Sequence, residues 1–462
     1  MPETSPSVAA SPRRVAALAL PAFGVLAAEP LYLLYDFAIV GRLGGLALAG
    51  LAVGGLVFAQ VTTQLTFITY GTTARAARHH GANDRIAAVR EGVQATWLAA
   101  VIGAVIVVLM QVAAGPILRL LTGDEALAAE AGAWLTVAIF GAPMILIAMA
   151  GNGWMRGVHN TMRPLKFVLV GLGVSAVLCP MLVYGWLGAP QMGLVGSAVA
   201  NVIGQSIAAT LFIAALYGEW RRAGGMLDVR PQWTIMRAQV VLGRDLILRS
   251  LAFQACFLSA AAVAARFGPG AVAAHQLMLH LWNLVALTLD SLAIAAQALI
   301  GAALGAGQRD AARTLAWRIT RWSTVFAIGL AAFFALSVSW IPPLFTGDDV
   351  VLSQTNTIWW FFVALIPVAG VVFALDGVLL GSGDAAFLRN ATLFAALTGF
   401  FPLIWASLVF GWGLPGIWTG LAAFILIRAV TVVLRTRSQR WSVVGADRQR
   451  IHRSSISDGD VA

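Results

Sequence analysis

Four carboxylates sit where ionisation is expensive. Glu29 and Asp36 lie in the first long apolar run of the chain, Asp290 in the eighth and Asp376 in the tenth. A charged side chain at the centre of a bilayer costs about 3 kcal/mol or more, so such groups face a cavity, a partner or a transported ion. Glu29 and Asp36 are seven residues apart, two helical turns, and therefore share a helix face. Burial disfavours the charged form of a carboxyl, which is the property a proton carrier uses. Each acid also has a plainer reading, as a packing carboxyl held by backbone or hydroxyl donors. Pro21 and Pro30 bracket the acids of the first run. Proline removes a backbone hydrogen bond and permits a bend, either as a static kink or as a joint that follows protonation.

Other groups are less directive. Gly151-Asn152-Gly153 and Asp376-Gly377 put a polar side chain beside glycine, the mark of an adaptable helix. His275 and His280 on the eighth run are candidate cavity residues, whereas His79, His80, His159 and His452 fall in polar loops or the tail. The 16 tryptophans suit interfacial belts, with a cavity for flat hydrophobic cations as the second reading. Cys179 and Cys256 both lie in apolar runs, and no metal spacing or disulfide framework follows from them. No phosphate-binding GxxxxGK[ST] run is present, which excludes an ATPase domain within this chain. No HExxH or paired DxxxD is present either, so catalysis has no visible apparatus and no cofactor or metal is expected.

The elements that position these groups must be membrane helices. The chain has 462 residues, 60% hydrophobic and 11% charged, too few charges to cover a soluble protein of this size. Apolar runs long enough to cross a bilayer number twelve: 15–41, 45–74, 92–118, 128–153, 165–186, 192–217, 240–266, 270–304, 314–343, 352–380, 388–410 and 414–434. The longest should tilt or protrude. Alternate loops carry the arginines, among them Arg75, Arg78, Arg85, Arg90, Arg156, Arg163, Arg309 and Arg313. By the positive-inside rule those loops and both termini are cytoplasmic, which puts the chain in a plasma or inner membrane. A net charge of +10 is thereby spent on loops facing one side, and nucleic acid is not an expected partner.

The chain repeats itself at an offset of 224 residues. Leu121-Thr122-Gly123-Asp124 returns as Phe345-Thr346-Gly347-Asp348, and Pro143, Gly153 and Gly157 return as Pro367, Gly377 and Gly381. An ungapped offset over such a span indicates duplication. The expected organisation is an N-terminal tail (1–14), a lobe of six helices (15–217), a linker (218–239), a second lobe of six (240–434) and a polar, disordered tail (435–462). Lobes that start on the same side are related by a pseudo-two-fold axis along the membrane normal, and such proteins place their working site between the halves. An all-α, monomeric transporter of small molecules is the leading expectation.

Several stretches then resemble the multidrug and toxic compound extrusion (MATE) family, in its DinF-like branch. They are "LYLLYDFAIVGRLGGLALAG" at 31–50, "GRDLILRSLAFQACF" at 243–257, "LDSLAIAAQALIGAALGAG" at 289–307 and "LDGVLLGSGD" at 375–384. The resemblance covers nearly all of residues 15–435. It implies an export antiporter with a V-shaped pair of lobes that takes up H+ or Na+ as an organic, amphipathic cation leaves. It also implies that Asp36 is the coupling acid of the first lobe, with Asp290 and Asp376 at acid positions of the second. The sequence departs from the branch on the fifth run, where Asn-x-x-Leu-Asp is replaced by Ser175-Ala-Val-Leu-Cys179. Ser175 and Asn201 remain as neutral oxygens for the Asp36 network, while the Cys179 sulfur is a poor ligand for a hard cation. H+ is therefore expected over Na+, with a Na+ site at Asp290 and Asp376 left open.

Two other classes compete. A lipid-linked precursor flippase of the same superfold would show a cationic central cavity, whereas here the acids read as central and the arginines as peripheral. A membrane-embedded transferase would need paired catalytic acids.

Overall fold

The computed structural model describes residues 11–222 and 228–446. Twelve helices are long and apolar enough to cross a bilayer. Helix α1 covers Pro12–Leu43, α2 Gly45–Gly81, α3 Arg85–Thr122, α4 Glu125–Gly157, α5 Met162–Tyr184 and α6 Leu194–Arg222. Then come α7 at Trp233–Phe267, α8 at Pro269–Gly305, α9 at Arg309–Leu336, α10 at Asp349–Gly381, α11 at Ala385–Phe410 and α12 at Gly413–Arg437. No strand occurs among the described residues. The chain divides into two compact units. Leu20–Gly243 forms the first, and the chain up to Ala19 together with that from Arg244 onward forms the second.

The 224-residue offset is built into the helix ends. Gly45 and Pro269, Arg85 and Arg309, and Glu125 and Asp349 each open a helix, and Gly157 and Gly381 each close one. The repeated aspartates are the caps. Asp124 accepts from the Leu127 backbone N–H at 2.9 Å, and Asp348 accepts from Val350 at 2.8 Å, satisfying amides that the first helical turn leaves free. The repeated glycines are contact points. Gly153 of α4 lies against the Thr69 backbone of α2, and Gly377 of α10 lies against the Ala293 backbone of α8. Thr69 and Ala293 are themselves 224 apart. A methyl group on Gly153 would come within 3.0 Å of the Thr69 Cα, and one on Gly377 within 2.8 Å of the Ala293 Cα. These are the small-residue crossings by which membrane helices approach closely.

Several helices run past the expected spans. Helix α3 has 38 residues, roughly 57 Å at helical rise, against a hydrocarbon core of about 30 Å. Its extra turns carry Arg85, Arg90 and Glu91, which are polar but helix-compatible. Asp84 accepts from Ala87 N at 2.9 Å and sets the true start. In the expected linker 218–239, residues 218–222 complete α6 and α7 begins at Trp233. The stretch between is tied to α3: Gln94 Nε2 donates to Arg230 O at 2.8 Å, Gln232 N donates to Gln94 Oε1 at 2.7 Å, and Trp97 Nε1 donates to Val229 O at 2.9 Å. Below it, Arg75 grips Glu91 with two hydrogen bonds of 2.6 and 2.7 Å. Gln239 Nε2 adds a third to the same carboxylate at 3.0 Å.

The ninth span ends earlier than expected, at Leu336 instead of residue 343, because Pro342 and Pro343 cannot continue it; they open a separate short helix, Ile341–Phe345. The tail expected to be disordered from 435 onward is ordered as far as residue 446. Trp441 is buried and donates to Thr436 O at 2.9 Å, and Gly445 N donates to Leu304 O at 3.0 Å. The rest of the two terminal tails, 1–10 and 447–462, lies outside the described residues, as does 223–227 of the linker.

Candidate functional site

Each unit holds a cavity among its membrane helices, and the two cavities differ in the charge of their walls. The cavity of the first unit, about 390 Å³, is bounded by α1, α2, α4, α5 and α6. Its polar lining includes Glu29, Asp36, Asn152, Arg156, Asn201 and Gln205, with threonines of α2 beside them. Asp36 is only 2% exposed. The Ser197 hydroxyl donates to its Oδ2 at 2.8 Å, and the Cys179 thiol donates to its Oδ1 at 3.2 Å. Both partners are neutral. Trp134 Nε1 donates to Ser197 Oγ at 3.4 Å, so a two-step chain runs from the indole through the hydroxyl to the carboxyl.

Glu29 is half-buried two turns away on the same helix face and hydrogen-bonds Gln205. Asn201 lines the same cavity. Ser175 is placed differently from expectation. Its hydroxyl is 2.6 Å from Tyr32 Oη, so it holds the tyrosine of α1 and not Asp36. Both prolines, Pro21 and Pro30, lie within the continuous helix of α1.

The cavity of the second unit, about 230 Å³, is bounded by α7, α8, α10 and α12. Asp376 lines it, as does its first-unit counterpart Asn152 in the other cavity. Asp376 is no bare carboxylate. Arg249 of α7 and Arg428 of α12 both donate to its Oδ2, each at 2.6 Å. This corrects the expectation that the arginines are peripheral, because these two stand inside membrane-spanning helices. Burial is sustainable because the charges are paired. It also removes the physical basis for a Na+ site at Asp376, since a cation there would meet two guanidinium charges. Asp290 is half-buried on α8 and is not among the residues lining this cavity. His275 is buried edge-on to Trp418 with ring centroids 6.2 Å apart, and His280 is exposed; neither lines the cavity.

A family model described as MatE matches this chain twice, over residues 21–181 and 246–405. The ends of the two matches, 181 and 405, are separated by the repeat offset of 224. The chain belongs to the MatE family. A MatE chain is a transporter and not an enzyme, embedded in the membrane by many passes and acting on small molecules. Among curated relatives, it is 31% identical to DNA damage-inducible protein F of Escherichia coli over 90% of both chains. It is 30% identical to the chloroplastic protein DETOXIFICATION 44 of Arabidopsis thaliana, over 93% of this chain and 83% of that one. A solved structure of a MATE protein in its bent conformation superposes with a TM-score of 0.84 at 21% identity, covering 95% of this chain and 98% of that one. At that identity the superposition speaks for the fold.

The sequence reading of this MatE chain missed Trp134 and Gln205 in the first cavity, and Ser197 behind Asp36. A signal was present: Ser197, Asn201 and Gln205 recur every four residues and form one polar stripe on α6. It also missed Arg249 and Arg428. Both are arginines inside apolar runs and belong to neither set of loops, the same signal that singled out the acids.

Proposed function

We propose that this protein is a secondary exporter that exchanges amphipathic organic compounds for H+, with Asp36 as the group that carries the proton. The observation that supports this most is the setting of Asp36: 2% exposed, beside a cavity, and hydrogen-bonded by Ser197 and Cys179 alone. A carboxyl held by neutral donors can gain and lose a proton without breaking an ion pair. Asp376 cannot, since both of its partners are guanidiniums. One carboxylate beside a thiol makes a poor shell for Na+, which prefers several hard oxygen ligands.

The exchange would proceed by alternating access, in a plasma or inner membrane with the termini and the arginine-rich loops on the cytoplasmic side. The protein would act as a monomer. The resemblance implied a cationic substrate, and the two arginines of the second cavity weigh against a cation there. A second reading, a flippase for lipid-linked precursors, draws on the same two arginines.

The test is substrate efflux from proteoliposomes under an imposed pH gradient in Na+-free buffer. Transport that collapses when the gradient is dissipated supports H+ exchange. Silence that only a Na+ gradient restores refutes it. Movement of a lipid between leaflets with no release to the aqueous phase would favour the flippase.

A further inference from the structure

We infer that the cavity of the second unit is an anion site, built to take an amphipathic organic anion by its carboxylate, sulfonate or phosphate group. As the substrate site of an exporter it rests on the reading above; as a binding site it stands alone.

Charge comes first. Among the described residues, the charged ones lining this cavity are Arg249, Arg428 and Asp376, so two guanidiniums face one carboxylate. Arg428 is 4% exposed and Asp376 5%. Both arginines pair with the one carboxylate, so the cluster keeps a net positive charge in a low-dielectric wall, which is costly unless an anion completes it.

Hydrogen bonding points the same way. Both guanidiniums spend their bonds on a single oxygen, Asp376 Oδ2. Among the described residues, Arg249 Nε, Arg428 Nε and the indole Nε1 of Trp418, which also lines the cavity, are buried with no partner; a single acceptor there, Asp376 Oδ1, is in the same state. Buried donors rarely stay unsatisfied, because each carries its full desolvation penalty. Three orphaned donors at one cavity want an acceptor-rich ligand. Guanidinium suits an oxyanion in particular, since its planar fork can bind two oxygens at once.

The remaining wall is aromatic. Phe253, Phe257, Trp282 and Phe424 line it. Arg428 stacks 4.6 Å from the Phe253 ring centroid and Arg249 5.6 Å from the same ring. The rings hold the guanidiniums in place and offer an apolar seat for the body of the ligand. Asp376 ties α7, α10 and α12 together and fixes the two arginines beside each other. Exchange of an outgoing anion for an incoming H+ moves positive charge inward in both halves of the cycle, so an inside-negative potential drives both.

The test uses the purified full-length chain in nanodiscs of neutral phosphatidylcholine, with two labelled probes of one skeleton, naphthalenesulfonate and naphthyltrimethylammonium. The sulfonate should bind about tenfold tighter or more, a difference that needs no variant to read. Arg428→Gln and Arg249→Gln should each weaken sulfonate binding about tenfold or more. Asp376→Asn should strengthen it, an effect that loss of structure would not produce. Arg428→Lys, which keeps the charge, serves if the glutamine variant does not fold, and should retain part of the preference. Competition by phosphatidylglycerol added to the nanodisc would assign the anion to a lipid headgroup, and no competition would assign it to a soluble compound. Equal or preferential binding of the ammonium probe overturns the site. A sulfonate preference that survives both glutamine variants overturns its location. Intact sulfonate binding without any response of efflux to a pH gradient refutes the H+ exchange and leaves this site standing.

Discussion

Cys179 donates its thiol hydrogen to Oδ1 of Asp36 at 3.2 Å, joining α5 to α1 across 143 residues of chain. The sequence resemblance implied an acid near this position, and a neutral, weak donor occupies it. One carboxyl in the pair leaves one proton to move and no like charge to hold it apart.

Asp36→Asn preserves the shape of the site and removes the proton. Export under a pH gradient should fall to the level of empty liposomes while expression and melting temperature stay near those of the parent. Normal export in this variant would remove Asp36 from the coupling role. Asp290→Asn, outside both cavity linings, should lower export much less in the same assay.

Ser197→Ala deletes the 2.8 Å hydrogen bond to Asp36 Oδ2 and the acceptor of Trp134. A net loss of about 1 kcal/mol of stability is expected. The pH dependence of export should also move, because a donor to the carboxyl disappears. Cys179→Ser keeps a donor at the other oxygen and should leave that profile closer to the parent. Profiles from Ser197→Ala and the parent that superimpose would argue against the hydroxyl as a tuning group.

Arg75→Ala strips both guanidinium bonds from Glu91, which is 2% exposed. The buried carboxylate then keeps Gln239 at 3.0 Å and His79 at 3.7 Å but no guanidinium, and the loss should cost about 3–5 kcal/mol. The double variant Arg75→Ala with Glu91→Ala removes both charges and should recover part of that loss. Thermal unfolding of the detergent-solubilised chains measures both. Equal melting temperatures for single and double variants would show that the carboxylate left behind carries no penalty.

Gly153→Ala and Gly377→Ala should damage the two units in parallel, since each methyl would press on backbone of the neighbouring helix. Overpacking of this kind costs about 1–3 kcal/mol. Gly173→Ala, where a Cβ meets nothing within 4 Å, is the control. Cell-surface yield and unfolding temperature would be compared across the three. A control as damaged as the other two would show that the helix crossings are not the cause.

A cysteine label or reporter at the C-terminal tail should read cytoplasmic, because the arginines cluster on that side. Labelling from outside the cell would invert the topology.

Much of this protein was legible in its sequence. Membrane helices satisfy their own backbone hydrogen bonds, so apolar run length alone locates them. Duplication leaves a fixed offset, and caps such as Asp124 and Asp348 return with it. An acid in an apolar run is conspicuous wherever it lies, which is how Glu29, Asp36, Asp290 and Asp376 were found. Run length could not give the helix ends, because α3 and α7 continue through polar residues that are still helical. Nor could it give partners. Whether Asp36 meets Ser197 or Ser175 depends on which faces of α5 and α6 turn toward α1, and whether Asp376 is bare or bound depends on Arg249 and Arg428, 127 and 52 residues away. Those pairings arise from the rotation and crossing of packed helices, a property of the assembled unit that no single helix contains. The signs of the two cavities were decided there.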